Sequence, residues 1–196
     1  GRAREVQPLD DDGRAVRPRP VRLHEGRALG HDDGHRHAQP AAVIGQRLGV
    51  IAGRGPYLPE LQSQVDIEGV SDLVHLAGYV TDGELRLLLH EAGCVVIPSL
   101  YEPFGIVALE SLAANAPTIV ARTGGLAEIM EGTEASLMFE PGNAKELATR
   151  IERVLMNPHV SQKMQAQGTE VLHARFSWDA IARATIGAYE IARADM

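Results

Sequence analysis

From Gly49 onward the chain alternates short apolar runs with longer amphipathic ones, and that alternation leaves few folds open. Gly49-Val50-Ile51-Ala52-Gly53 reads as a buried strand ending at a glycine, and Tyr57 to Val65 as a helix. Leu73 to Gly78 is a second strand; Thr81-Asp82-Gly83-Glu84 has the form of a capping box opening a helix to about Glu91. Strands follow at Cys94–Pro98, Pro117–Ala121 and Ala135–Phe139, separated by helices over Ile106–Ala114 and Gly125–Met130. Asn143-Ala144-Lys145-Glu146 caps a long helix ending near Met156, and helices fill Ser161–His173 and Trp178–Ala192. Short strands interleaved with helices predict an α/β fold, a Rossmann-like doubly wound parallel sheet covered on both faces. Ligands of such sheets bind beyond the carboxyl ends of the strands. The loops after Ala52, Gly78, Pro98 and Ala121 are therefore the places to look.

Residues 1–47 are different. They hold no Lys, Phe, Tyr or Trp, and Ile44 is their single isoleucine. Their nine Arg against seven acids give +2, so the rest of a chain of net charge −7 carries −9. No strand or helix period fits before Ala41, and the segment lacks the apolar surface to offset its ordering entropy. His31-Asp32-Asp33-Gly34-His35-Arg36-His37 has metal-ligand spacing, but nothing there fixes a ligand geometry, and no metal site is expected. Arg, Ala, Gly, Pro, His and Asp are what GC-rich codons yield in a wrong frame. A frameshift upstream of about residue 48 is the expectation, and a peptide mass map matching residues 1–47 in cell-made protein would refute it. The domain reading is 1–47 irregular or out of frame, and 48–196 one α/β unit.

Composition excludes some functions. Aromatics make up 4% of the chain, too few for a platform that stacks single-stranded nucleic acid, and an acidic chain of pI about 5.6 is a poor general polyanion binder. No nucleic-acid partner is expected, and any phosphate site must be local. The lone Cys94, in an apolar run, is read as a small buried hydrophobe; one cysteine forms no internal disulfide, which fits a reducing cytoplasm. No apolar run reaches the roughly 18 residues that span a bilayer, and no signal-peptide core opens the chain. A cytoplasmic protein without an integral membrane segment is the expectation.

The loop after Pro98 carries the most chemistry: Ser99-Leu100-Tyr101-Glu102-Pro103-Phe104-Gly105-Ile106-Val107-Ala108-Leu109-Glu110. Pro103 pushes Glu102 into extended backbone, and Gly105 lets the main chain approach a ligand. A helix opening there presents unpaired N–H groups and a positive dipole end, which suit a diphosphate. Glu110 lies roughly one and a half turns into that helix. Spacing alone leaves open whether Glu102 and Glu110 flank an anion site or are solvated surface acids.

This stretch resembles the Glu-x7-Glu motif of the GT-B retaining glycosyltransferases, the group that includes bacterial glycogen synthases, sucrose-phosphate synthases and mannosyltransferases. The resemblance covers about residues 48–196 and identifies the superfamily far better than the substrate. It implies the C-terminal, donor-binding half of a GT-B enzyme. Glu102 would contact the donor sugar and Glu110 the ribose. The backbone at Phe104 and Gly105 would hold the sugar, the amides of Ile106 and Val107 would approach the diphosphate, and Pro103 belongs to the same donor-binding loop. Gly53-Arg54-Gly55-Pro56 is similar to the family's Gly-x-Gly-Pro turn near the nucleotide; by itself it is a turn signal, and Arg54 is either surface charge or a nucleotide contact. Gly78-Tyr79-Val80 is similar to the segment that cups the base, where Tyr79 is otherwise a strand-end aromatic. Arg122-Thr123-Gly124-Gly125 is similar to the family's Gly-Gly-x-x-Glu, whose amides face the phosphates, with Glu128 supporting the loop. Arg175-Phe176-Ser177-Trp178 resembles the start of the family's last helix, with Trp178 anchoring its packing. The remaining histidines read as packing (His75) or surface (His90, His159, His173).

The resemblance implies hexose transfer, glucose favoured and mannose close behind, from a UDP-, ADP- or GDP-sugar to a hydroxyl of a glycan, lipid or small-molecule acceptor, with retention. It implies no metal and no further cofactor. It also exposes two gaps. The family's Gly-Arg-Leu and Glu-Lys-Gly motif, whose cations neutralise the departing diphosphate, is not legible in residues 1–47, and the N-terminal acceptor domain is missing. The lysines, Lys145 and Lys163, both fall in expected helices. Charge stabilisation of a leaving group is a dominant catalytic contribution, so the chain as it stands is expected to be catalytically weak or dead. A non-catalytic nucleotide-binding module is the alternative. A dinucleotide oxidoreductase is disfavoured, since no Gly-x-Gly-x-x-Gly follows the first strand.

Overall fold

The structure, a computed structural model, describes residues 49–194. The irregular segment, its histidines and the inferred frameshift lie outside them. The described residues fall into two units, 49–81 and 82–194, with a division at Thr81/Asp82 inside the stretch that the sequence reads as one domain.

The first unit is a βαβ element: β1 (Gly49–Ala52), α1 (Leu58–Ile67) and β2 (Val74–Gly78). The strands pair in parallel, Gly49 with Val74 through Ile51 with Leu76, and the register then slips so that Ala52 meets Gly78. A helix connects them, as a parallel pair requires. Pro59 stands at its first turn, where a missing N–H costs nothing, and Gly69, at φ 65°, ends it. Two expectations change here. β1 reads as buried, yet all four of its residues are exposed, Val50 and Ile51 each by 40%, because among the described residues it pairs with β2 alone. His75 reads as packing, but it is exposed: alternation along β2 turns it away from the half-buried Val74 and Leu76.

The second unit contains α2 (Asp82–Glu91), β3 (Val95–Ile97), α3 (Ile106–Ala113), β4 (Thr118–Ala121), α4 (Gly124–Met130), β5 (Ser136–Phe139), α5 (Ala144–Met156), α6 (Pro158–Val171) and α7 (Trp178–Ala194). The sheet has the order β3-β4-β5, all parallel, with Val120 between Ile97 and Met138. The central strand β4 is buried at every position, as its unbroken apolar run demands. Alternation splits its side chains between two cores. Val120 joins Ile97, Ala108, Leu112, Leu126 and Met130 on the α3/α4 face. Ile119 and Ala121 join Phe139, Val154 and Met164 on the α5/α6 face. Thr118 is buried on the first face, where its hydroxyl lies 2.6 Å from that of Ser111 and donates to the Ala116 carbonyl at 2.9 Å.

Asn143 caps α5 as expected, its side chain accepting from the Glu146 N–H at 3.0 Å. α6 starts at Pro158, three residues before the expected Ser161, because Pro at the first helical position is already set for it. A π-helical turn, Leu172–Phe176, joins α6 to α7. Trp178, expected to anchor packing, is 86% exposed, and α7 buries none of its residues. Among the described residues no helix is long and apolar enough to cross a membrane.

Candidate functional site

The 82–194 unit brings together two loops at the carboxyl ends of adjacent strands. The segment after β3 runs from Pro98 to Gly105, and Gly105, at φ 72° and ψ 28°, caps α3 in the left-handed region that glycine tolerates. The segment after β4 turns through Thr123 into Gly124 and Gly125 at the start of α4. Thr123 Oγ1 donates to the Leu100 carbonyl at 3.2 Å, and Gly125 N–H donates to the Glu102 carbonyl at 2.8 Å.

Both glycines are required by this seat. A Cβ on Gly124 would lie 2.2 Å from the Glu102 carbonyl oxygen, and one on Gly125 would lie 2.6 Å from the Phe104 carbonyl carbon. Ile129 Cδ1 packs from the other end of α4, 2.9 Å from where a Cβ on Gly105 would sit. The paired glycines therefore serve a purpose the motif alone does not disclose. They let the 102–105 backbone lie directly on α4, and the Gly125 amide binds protein rather than pointing outward. Glu128 is exposed, and among the described residues its carboxylate has no partner; its contribution to the fold is its main-chain carbonyl, which accepts from Arg175.

The Glu102 carboxylate folds back over the mouth of α3. Its Oε1 accepts from Gly105 N–H at 3.2 Å and from Phe104 N–H at 3.4 Å. These are the amides that the family resemblance assigns to a sugar. The next two, of Ile106 and Val107, open α3 and have no partner among the described residues. Ala108, Ser111 and Leu112 are the inward side of α3, which leaves Ile106, Val107 and Glu110 on its exposed side, three and four residues apart. Glu110 has no ionic or hydrogen-bonding partner among the described residues. Pro103 and Phe104 are exposed at the loop tip.

Arg122, in the loop after β4, is committed to acidic partners. Arg122 pairs with Glu131 at 2.9 Å and with Glu140 at 3.2 Å. Lys163 pairs with Glu134, and Lys145 lies in the first turn of α5. Among the described residues no group of three His, Cys, Asp or Glu is placed to hold a metal ion.

The 49–81 unit brings together the other predicted residues. Gly53, at φ 140°, donates its N–H to the Gly78 carbonyl at 2.7 Å, which ties the loop after β1 to the loop after β2. The Arg54 guanidinium then lies over the Tyr79 ring, 4.9 Å from its centroid. Tyr79 is 65% exposed, so the pair forms a flat cationic and aromatic surface. The Gly55 carbonyl accepts from Leu58 N–H at 3.2 Å, and Val80 is half-buried.

Residues 41–171 match the family model of the glycosyl transferases group 1. The chain belongs to that family. An uncharacterized glycosyltransferase of Methanocaldococcus jannaschii is 38% identical over 146 residues, 73% of this chain and 37% of the relative. The glycogen synthase of Mycobacterium tuberculosis strain H37Rv is 34% identical over 143 residues, 73% of this chain and 34% of that enzyme. Among solved structures, the sucrose-phosphate synthase of Thermosynechococcus elongatus superposes with a TM-score of 0.63 at 29% identity, over 75% of this chain and 39% of that one. This group 1 chain thus has the Rossmann-like architecture of the C-terminal part of a GT-B glycosyltransferase. It spans little more than a third of the length of these relatives.

Proposed function

We propose that this chain is the donor-binding half of a retaining hexosyltransferase that moves glucose from a nucleoside diphosphate sugar to an acceptor hydroxyl. The observation that carries the reading is the carboxylate-lidded helix mouth: Glu102 above Phe104 and Gly105, with the free amides of Ile106 and Val107 next in line. Two partnerless N–H groups at a helix start suit a diphosphate, to which the dipole adds a favourable field. The Glu102 carboxylate, an acceptor fixed beside them, suits a sugar hydroxyl. Glu110, unpaired on the same exposed side of α3, suits the ribose hydroxyls. In the other unit the exposed Tyr79–Arg54 surface suits a planar base. Glu102 orients the sugar and does not attack it, the helix mouth takes the place of a metal ion on the diphosphate, and retention follows from transfer on one face. Glucose rests on the likeness to a glycogen synthase and a sucrose-phosphate synthase, and a mannosyl donor is the near alternative.

Calorimetry with UDP, ADP and GDP, and then with the corresponding glucose conjugates, tests the reading. Micromolar to millimolar binding of one nucleotide, strengthened by the attached sugar, is expected; no heat with any of them overturns it.

A second reading, a module that binds the nucleotide and transfers nothing, is favoured by one observation. Arg122, in the loop beside the helix mouth, is clamped by Glu131 and Glu140, and so is not offered to a leaving diphosphate. A coupled transfer assay separates the two: binding without turnover leaves the module.

A further inference from the structure

α4 is a seven-residue helix that meets the donor loop along its length, at Gly124, Gly125 and Ile129. A helix so short, roughly 10 Å, has little internal stability, so what holds its far end decides where its near end sits. The last four carbonyls of a helix need partners from outside it. In α4 all four have one. The Ala127 carbonyl accepts from Glu131 N–H at 2.8 Å, and the Met130 carbonyl accepts from Thr133 Oγ1 at 2.7 Å. The two between them are both taken by Arg175: Nη1 donates to the Ile129 carbonyl at 2.9 Å and Nη2 to the Glu128 carbonyl at 3.1 Å. A guanidinium at a helix C-terminus also faces the negative end of the dipole. Arg175 reaches α4 from the π-helical turn, 46 residues further along the chain, and such turns are frequent at functional sites. Ile129 is the link. Its carbonyl is held by Arg175, and its side chain packs on Gly105, the cap of α3.

We propose that Arg175 is a positioning residue for the donor cradle: by gripping the Glu128 and Ile129 carbonyls it sets α4, and through α4 it sets the Glu102–Gly105 loop. This rests on the donor-binding reading for its functional consequence, though not for its structural one.

The test uses the 196-residue protein with Arg175→Ala and Arg175→Lys. Amide hydrogen exchange is followed at Gly125, whose N–H is bonded to Glu102, and at Ile119 and Val120 in the buried β4. In Arg175→Ala, protection at Gly125 falls by about tenfold, since charged hydrogen bonds of this kind are lost, while β4 keeps its protection. Affinity for the nucleotide that binds, by calorimetry, falls roughly two- to thirtyfold, and Arg175→Lys, which retains the charge but carries its donors on a single nitrogen, recovers part of both. Unchanged exchange at Gly125 overturns the proposal. So does an equal loss in β4, which makes Arg175 a general stabiliser. If the unsubstituted protein binds none of UDP, ADP and GDP, the donor reading fails, and the Gly125 exchange still decides whether Arg175 holds the loop.

Discussion

The N–H of Gly125 donates to the carbonyl of Glu102 at 2.8 Å, and the Cβ that Gly125 lacks would fall 2.6 Å from the Phe104 carbonyl carbon. The first carboxylate of the Glu-x7-Glu pair is therefore supported by the glycine pair of the neighbouring loop. Gly125→Ala must push the 102–105 backbone away. It is expected to cost about 1–3 kcal/mol, the usual penalty of overpacking, and to weaken UDP binding. Gly124→Ala is expected to be at least as severe, because the added strain of φ 42° joins a 2.2 Å approach to the Glu102 oxygen. Thermal melts and calorimetry on both variants check this; native-like melting together with unchanged affinity would show that the loop does not depend on the seat.

Much of this arrangement is legible in the sequence. The apolar runs locate the five strands of the described residues to within a residue or so, and in β4, buried on both faces, the run is unbroken. Asn143 and Glu146 announce α5 through local hydrogen bonding, which sequence records directly. What stayed hidden depends on contacts distant along the chain. Nothing near Arg175 says that it caps α4, and nothing near Gly125 says that its amide meets Glu102. Exposure of Val50, Ile51 and Trp178 was equally hidden, because apolar sequence reports a tendency to be covered and not whether a covering element is at hand. The Glu102 side chain folding onto its own helix mouth is a rotamer choice, which spacing cannot state.

Glu102 and Glu110 differ in what surrounds them, and their variants should separate accordingly. Glu102→Ala removes the acceptor for two amides, so a loss of about 1 kcal/mol, that of an N-cap, is expected. Glu102→Gln keeps an oxygen acceptor and most of that stability, but loses the anionic partner for a sugar hydroxyl. In it the advantage of UDP-glucose over UDP should shrink. Glu110→Ala touches no partner, so stability should hold within about 0.5 kcal/mol, as for other surface changes, while UDP affinity falls. A Glu110→Ala protein that binds UDP as before would remove the ribose role.

Cys94 precedes β3 and packs with Val96 and Leu137 against the α5/α6 core. Burial pushes its thiol up to about 12, so the reactive thiolate is scarce in the folded protein at pH 8. Iodoacetamide at pH 8 is expected to label Cys94 slowly in buffer and rapidly in guanidinium, with mass spectrometry as the readout. Equal rates in the two conditions would contradict its packing.

Glu146 is the residue through which acid should loosen the end of β5. Its carboxylate accepts from Glu140 N–H at 3.0 Å and from Arg150 Nη2 at 2.8 Å, and Arg150 Nε donates to the Met138 carbonyl at 3.1 Å. First the Glu140 amide and then the Arg150 hydrogen bond hold the carboxyl below the usual range. A group lowered in the folded state contributes stability above its unfolded pKa, about 4.3 for Glu, and loses it as the pH falls through the lowered folded value. Glu146→Gln should therefore melt below the unsubstituted protein at pH 7, and the gap should close as the pH is lowered through about 4 towards 3. Melting curves of both proteins across that interval give the comparison. A gap that stays constant with pH would mean that Glu146 contributes through packing and not through its charge.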